Sequence, residues 1–389
     1  MDIRNIEYAQ TKTRRLFELL NKQNNDVLAV ICERIEDLGA KDINQLKSVL
    51  EYSIKDLSKI EKIIANTSGK SLSEISQIFE QTAKDNLNFA QIFYKYRQMP
   101  PRSETDASIR QLIQAVSSKT QHEFLNITNS TTVGFVNSAG QFRNIRSDYF
   151  SLIDNAITAA VTGKEDYYTT MQNVIKSMSD SGLRARFEGI NKNGKPYVYT
   201  RRLDSQVMMN VQDGIRQLTT EIQRQTAAEY GADGVEISAH PLCAPDHLGV
   251  QGKQYSNEKF EELQATLKRP ISTMNCRHFA FPIIMGVNQA VYSSQELKQM
   301  ARDSNKYVKY TDLRGKEKEM TRYSATQRQR QFELEIRKAK EKQKAYKTAG
   351  DKLNAKRMQK EALRLKKQYV KFSSEVKLKI NEKRIRIGT

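Results

Sequence analysis

Apolar side chains in the first hundred residues recur at spacings of three and four. Leu16, Leu19 and Leu20 are followed by Leu28, Ile31 and Ile35, then by Leu46, Leu50 and Ile54, and later by Ile75, Ile78 and Phe79. That period sets the apolar residues on one stripe of a helix, so residues 4–97 read as a helical array. Gly39-Ala40-Lys41-Asp42 and Ser68-Gly69-Lys70-Ser71 carry turn and N-cap chemistry and are expected to divide it. Pro100-Pro101 closes the array, because proline has no N–H to donate and restrains its predecessor. A helical domain over 1–99 is therefore expected, with a boundary near 98–104.

The pattern then becomes mixed. A helix is expected near 105–127, an extended stretch over 131–136, a turn at Ser138-Ala139-Gly140, and helices near 147–161 and 166–180. The segments LRARFEGI and PYVYTRR flank Asn191-Lys192-Asn193-Gly194, a run that tolerates positive φ, and predict a β-hairpin. A long helix is predicted from about Asp204 to Ala228, stopping at Tyr230-Gly231. Val235, Ile237 and Ala239 alternate with polar neighbours as a short strand that delivers His240 at its end. Tyr307–Leu313 reads as another strand. Residues 104–313 are thus expected to form a mixed α+β domain.

Beyond Gly315 the chain is nearly free of Gly and Pro. Phe332, Ile336, Ala339, Gln343 and Tyr346 follow a 4-3-4-3 rhythm, Gly350-Asp351 interrupts it, and Met358, Ala362, Leu365, Tyr369, Phe372 and Val376 resume it. Each run lays a narrow apolar stripe on a polar helix, so 314–389 is expected to hold a coiled-coil-like helical hairpin. The predicted fold class is α+β and predominantly α-helical.

Charge changes this picture. The net charge is +19, of which residues 314–389 carry +16, with 25 Lys and Arg against 9 Asp and Glu. The other 313 residues are almost neutral. Such a basic tail points to a polyanion, double-stranded DNA phosphates contacted without sequence specificity. The candidate contacts are Lys338, Lys340, Lys342, Lys344, Lys356, Arg357, Lys360, Arg364, Lys366, Lys367, Lys371, Lys383, Arg384 and Arg386. No apolar run approaches the roughly 18–20 residues that span a bilayer, and MDIRNIEYAQ lacks the apolar core of a secretory signal. The chain reads as soluble, made in the cytoplasm, with no membrane partner. Three cysteines form a poor disulfide framework.

Scarce chemistry gathers in one window. His240, Cys243, His247, Cys276 and His278 supply three of the four histidines and two of the three cysteines within 39 residues. His240-x2-Cys243-x3-His247 with Cys276-x-His278 offers five N and S ligands where zinc needs four, which makes structural Zn the cofactor to consider. A bland alternative is a hydrogen-bonded turn, with histidines on backbone carbonyls and cysteines as small buried hydrophobes. Asp246 and His247 with Asn275 and His278 could also form a nuclease-like carboxylate–imidazole site, and Cys243 or Cys276 beside a histidine a nucleophile. Neither has a specific local sequence. No G-x4-G-K-[ST] loop and no H-E-x-x-H occur, and Gly249-Val-Gln-Gly252-Lys253 lacks the Ser or Thr that a phosphate loop needs.

The segments ISAHPLCAPDHLGVQGKQYS and MNCRHFAFPIIMG resemble the phage minor capsid protein 2 family, within the wider group of Mu-F-like head-morphogenesis proteins. The matching positions are His240, Asp246, His247, Gln251, Gly252, Lys253, Asn275, Cys276, Arg277 and His278. The helical N-terminal array, Arg201-Arg202-Leu203-Asp204 and the basic C-terminal run agree with it. The lead-in Pro270-Ile-Ser-Thr-Met274 departs from the pattern in having no Trp. The resemblance implies a non-enzymatic structural protein of the phage virion, in the head near the portal. Its implied partners are the portal protein or the major capsid protein. The runner-up is a metal-dependent nuclease or other DNA-processing enzyme of a mobile element.

Overall fold

The computed structural model describes residues 8–387 except 40–48, 97, 104–105, 130–132, 138, 146–147, 149–166, 191–193, 274–275 and 313. Helices dominate: ten α-helices stand beside three small antiparallel sheets among the described residues. The predicted class, predominantly α-helical α+β, is what is found.

The N-terminal array consists of α1 (Tyr8–Lys12), α2 (Arg14–Gly39), α3 (Val49–Tyr96) and α4 (Ala107–Thr128). One expectation is overturned here. The run Ser68-Gly69-Lys70-Ser71 does not break the chain, and α3 continues through it for 48 residues. Ile60, Ile64, Ile75, Ile78 and Phe79 are all buried on one side of α3, as is Ser71. Burial along a continuous stripe outweighs the roughly 1 kcal/mol that one glycine costs a helix. The turn expected at Gly39 falls where α2 ends, while Ala40-Lys41-Asp42 lies outside the described residues.

The centre of the molecule is α6 (Leu203–Glu229), which matches the predicted long helix; α5 (Tyr167–Ser181) precedes it. Val207, Val211, Ile215, Leu218 and Ile222 form a stripe of fully buried side chains on α6. Each contributes on the order of 1.5–3 kcal/mol on burial. This stripe shares one apolar cluster with residues of α2, α3 and α4. Gly214 allows the close approach: a Cβ there would overlap the Phe79 ring and Thr120 Oγ1.

Strands β1 (Val133–Val136), β2 (Phe142–Asn144), β3 (Arg184–Ile190) and β4 (Pro196–Arg202) form a sheet in the order β2-β1-β3-β4. The expected hairpin is β3–β4, paired in register from Arg184↔Arg202 to Ile190↔Pro196. Of its turn, Asn191, Lys192 and Asn193 are outside the described residues, and Gly194 takes φ +74°. The helix expected near 147–161 also falls almost wholly outside them. A second sheet, β6-β5-β7, is built from β5 (Gly234–Ile237), β6 (Gln254–Ser256) and β7 (Ala280–Ile283). Helix α7 (Asn257–Thr266) follows β6. Helix α8 (Ser294–Asn305) opens on a complete capping box between Ser293 and Glu296.

A strand pair, β8 (Tyr307–Thr311) and β9 (Glu317–Thr321), spans the start of the basic segment, and only its first strand was foreseen. Helices α9 (Arg322–Thr348) and α10 (Lys352–Glu375) then form the expected antiparallel hairpin. Gly350 turns the chain with φ +72°, and Asp351 caps α10 by accepting from the Asn354 N–H at 2.9 Å. The predicted stripes meet in a second core, with Phe332, Ile336 and Ala339 against Ala362, Leu365, Tyr369 and Phe372. The hairpin is not free of the rest. Ala345, Tyr346 and Ala349 belong to the main core, and α9 lies against α2 and α5.

Charge fixes the same contact. Arg202, at the start of α6, bonds Asp204 at 3.3 Å and Glu341 of α9 at 3.1 Å, while Arg337 reaches Asp204 at 3.2 Å. Burial alone would raise the Asp204 carboxyl, but Arg202 and Arg337 outweigh it and keep it below the usual range. Burial pushes the Glu341 carboxyl up despite Arg202.

Candidate metal centre and cationic surfaces

Strand pairing explains why the His/Cys residues meet. Ile237 at the end of β5 faces Ala280 at the start of β7, so the chain leaving β5 and the chain entering β7 lie together. His240 follows the first, three residues beyond the strand, and Cys276 and His278 precede the second. The Ser238 N–H donates to the Phe279 carbonyl at 2.8 Å and ties the two segments. Between them, Pro245 starts a 3-10 turn, Pro245–His247, that turns His247 inward.

All five predicted ligands lie in this one place. His247 Nδ1 is 3.3 Å from His278 Nδ1, and Cys276 Sγ is 3.4 Å from each of those atoms. Cys243 Sγ lies 3.5 Å from His278 Nε2, and the His240 ring stacks on His278 with centroids 4.5 Å apart. Cys243, His247, Cys276 and His278 are buried and His240 is half-buried. Burial pushes His278 down to about 2 and His240 down to about 4, so both rings are neutral at pH 7. Burial raises the Cys243 thiol to about 12 and also raises Cys276, on which Arg269 and Arg216 act in the opposite direction.

Other residues of the window have definite partners. The His247 Nε2–H donates to the Arg269 carbonyl at 2.7 Å. Asp246 accepts from Arg269 Nη2 at 2.9 Å. The carboxylate stands 3.8 Å from His247 Nε2, on the far side of that ring from the Nδ1–Nδ1–Sγ triangle. Of the nuclease-like grouping, Asp246, His247 and His278 lie in a row with the His247 ring between the other two, and Asn275 lies outside the described residues. Gln251 is buried, and its Oε1 accepts from the His240 N–H at 3.1 Å and faces His278 Nε2 at 3.2 Å. Gly252 has φ +69° against the Leu297 side chain, a local reason for glycine at that position. The Lys253 carbonyl bonds the Ile237 N–H, and the Lys253 side chain is exposed. Arg277 sits on the wall of the adjoining cleft.

That cleft has a volume of about 630 Å³ and separates the window from the C-terminal segment. His240, Cys276 and His278 lie along one side, and Arg330, Lys383, Arg384 and Arg386 along the other.

The candidate nucleic-acid contacts divide into two groups. On α9, Lys342 pairs with Asp180 of the body at 2.6 Å, and Lys340 donates to the Ile385 carbonyl of the C-terminal segment at 2.7 Å. Lys338 and Lys344 are half-buried. On α10 the outward face carries Lys356, Arg357, Lys360, Arg364, Lys367 and Lys371, all exposed. Arg364 pairs with Glu361 and Lys371 with Glu375, and Lys366 with Glu382. Lys356, Arg357, Lys360 and Lys367 have no carboxylate partner among the described residues. Lys352, which the sequence reading did not name, begins the same exposed row. Lys383 and Arg386 are exposed at the cleft, whereas Arg384 reaches Gln10 at 3.1 Å.

Sequence reasoning missed Arg269, whose carbonyl orients His247 and whose guanidinium holds Asp246; nothing local distinguishes it from any other surface arginine. It also missed the partnership of Arg202 and Asp204 with Glu341, since a pair 139 residues apart leaves no local signal.

Compared with known proteins, residues 6–372 match the family described as phage minor capsid protein 2. No curated protein and no solved structure matches the chain.

Proposed function

The chain belongs to the phage minor capsid protein 2 family and is a structural protein of the phage virion, and from that premise we propose that it joins head assembly near the portal with the outer face of α10 turned toward packaged DNA. The body, α1 to α8 with its sheets, docks on portal or major capsid protein. The role is one of assembly and contact, with no catalytic step.

One observation carries the DNA part of this reading. On α9, Lys340 and Lys342 are engaged within the molecule and Lys338 and Lys344 are half-buried, whereas the cations of α10 form an exposed row along one helix face. Lys356, Lys360, Arg364, Lys367 and Lys371 recur at spacings of four, four, three and four, so they point the same way, with Arg357 three residues before Lys360. At 1.5 Å rise per residue the row from Lys352 to Lys371 runs roughly 28 Å, on the scale of one turn of duplex. A cationic row of that length, in which Lys356, Arg357, Lys360 and Lys367 have no carboxylate partner among the described residues, neutralises several phosphates and displaces their counterions. Phosphate contacts of this kind hold a duplex without reading its sequence.

Cross-linking within purified heads tests this reading. The expected products join α10 lysines to DNA and body lysines to portal or major capsid protein. Heads in which α10 lysines link only to shell proteins, with no DNA adducts, contradict it.

A further inference from the structure

We propose that His247 Nδ1, Cys276 Sγ and His278 Nδ1 bind one zinc ion and thereby pin the β5–β7 sheet to the turn at Pro245–His247.

The first argument is the size and shape of the triangle. With Zn–N near 2.0–2.1 Å and Zn–S near 2.3 Å, tetrahedral angles place two nitrogens about 3.3 Å apart and nitrogen and sulfur about 3.5 Å apart. The three separations here are 3.3, 3.4 and 3.4 Å.

The second argument is where the protons sit. The Arg269 carbonyl can only accept, so His247 carries its proton on Nε2 and presents a lone pair at Nδ1. The His240 N–H can only donate, which identifies the Gln251 atom it meets as oxygen. That oxygen in turn requires a proton on His278 Nε2, leaving a second lone pair at His278 Nδ1. Two ring lone pairs thus face each other at 3.3 Å with one thiol between them. A single S–H can satisfy one of the two nitrogens. A metal ion satisfies both, and orienting the ring through its outer N–H is the usual support for a histidine ligand.

A third argument is mechanical. The apolar cluster at this sheet is small: among the described residues Ile237, Ile271 and Cys276 are buried, with Val250, Tyr255, Phe260, Leu263 and Leu267 packed against them. Strands of three and four residues on so small a core need a further tie, and a structural metal supplies one.

A competing triad, His240, Cys243 and His278, also brings its ligand atoms within 4.8 Å of one another. It would use His278 Nε2, which Gln251 already engages, and it includes the half-buried His240. We therefore assign the ion to the first triad. The triad supplies three of the four positions that zinc takes, and Cys276 and His278 also line the cleft.

The test uses full-length protein purified under reducing conditions, analysed for metal and then titrated with Co2+ alone. About one zinc per chain is expected, together with a cobalt spectrum showing tetrahedral ligand-field bands and charge transfer from a single thiolate. His247→Ala and Cys276→Ser are expected to fall below about 0.2 zinc per chain, while His240→Ala, Cys243→Ser and Cys32→Ser keep the wild-type content. Because the ligand variants could misfold, the wild-type cobalt spectrum decides independently. Wild-type protein with under about 0.2 zinc and no thiolate band overturns the proposal. So does metal that survives His247→Ala but is lost in His240→Ala and Cys243→Ser.

Discussion

Replacing Arg202 by Met tests how the basic hairpin is attached to the body. Met keeps most of the apolar stem that Arg202 packs and removes only the guanidinium. Asp204 retains Arg337 at 3.2 Å and the Ser205 N–H at 2.7 Å, so it stays paired. Glu341 does not. Its Oε1 loses the bond to Arg202, and its Oε2 has no hydrogen-bond partner already, in a side chain 1% exposed. Leaving one member of a buried pair uncompensated costs about 3–5 kcal/mol. At an m-value near 3 kcal/mol/M that is a fall of about 1–2 M in the urea midpoint, followed by circular dichroism. Replacing both residues, Arg202→Met with Glu341→Met, removes charge and partner together and should recover most of the loss, leaving a coupling of about 2–4 kcal/mol. A single variant within about 1 kcal/mol of wild type, or a double variant no better than the single, refutes the reasoning.

Three further outcomes follow from the geometry. Gly214→Ala forces a methyl group against Phe79 and Thr120 at the α6 crossing and should destabilise the chain by about 1–3 kcal/mol in the same urea assay. Ile215→Ala, at a fully buried position on the α6 stripe, should cost about 2–5 kcal/mol through transfer and cavity terms. In chelator-treated, metal-free protein His278 is held down to about 2 by burial, so below about pH 6.5 the unfolded chain binds a proton that the folded chain refuses. That contribution to stability is complete above about pH 6.5 and is lost as pH falls, at up to about 1.4 kcal/mol per unit. A melting temperature that declines from pH 7 to pH 5 is expected, and one that stays level over that interval contradicts it.

The parts of the fold that were legible in the sequence share a local signal. The α9–α10 hairpin was visible because a 4-3 apolar rhythm broke at Gly350-Asp351, and the β3–β4 hairpin because turn residues separate two β-rich runs. The candidate metal centre stood out because scarce residues cluster, and the sheet register then brought those residues together. What stayed hidden depends on the tertiary environment. The Ser68–Ser71 run looks like a break until α3 is seen buried along a continuous face. Strand β9, EKEMT, has no apolar alternation because its side chains are mostly exposed, and pairing with β8 alone defines it. Composition showed that 314–389 is basic but not that Lys340 and Lys342 of α9 are engaged within the molecule, since a lysine on a hairpin carries no local mark of its facing.

The account rests most heavily on the outward cations of α10 as the contact with a polyanion. The direct measurement is duplex DNA affinity as a function of salt, for the intact chain and for the variant with Lys356→Gln, Arg357→Gln, Lys360→Gln and Lys367→Gln. These four are exposed and lack carboxylate partners among the described residues, so the fold should be unaffected. Each phosphate contact contributes about 0.9 to the slope of log K against log salt, so the variant should lose about 3–4 from that slope and weaken steeply at low salt. A variant whose slope and affinity match the intact chain at every salt concentration contradicts the account.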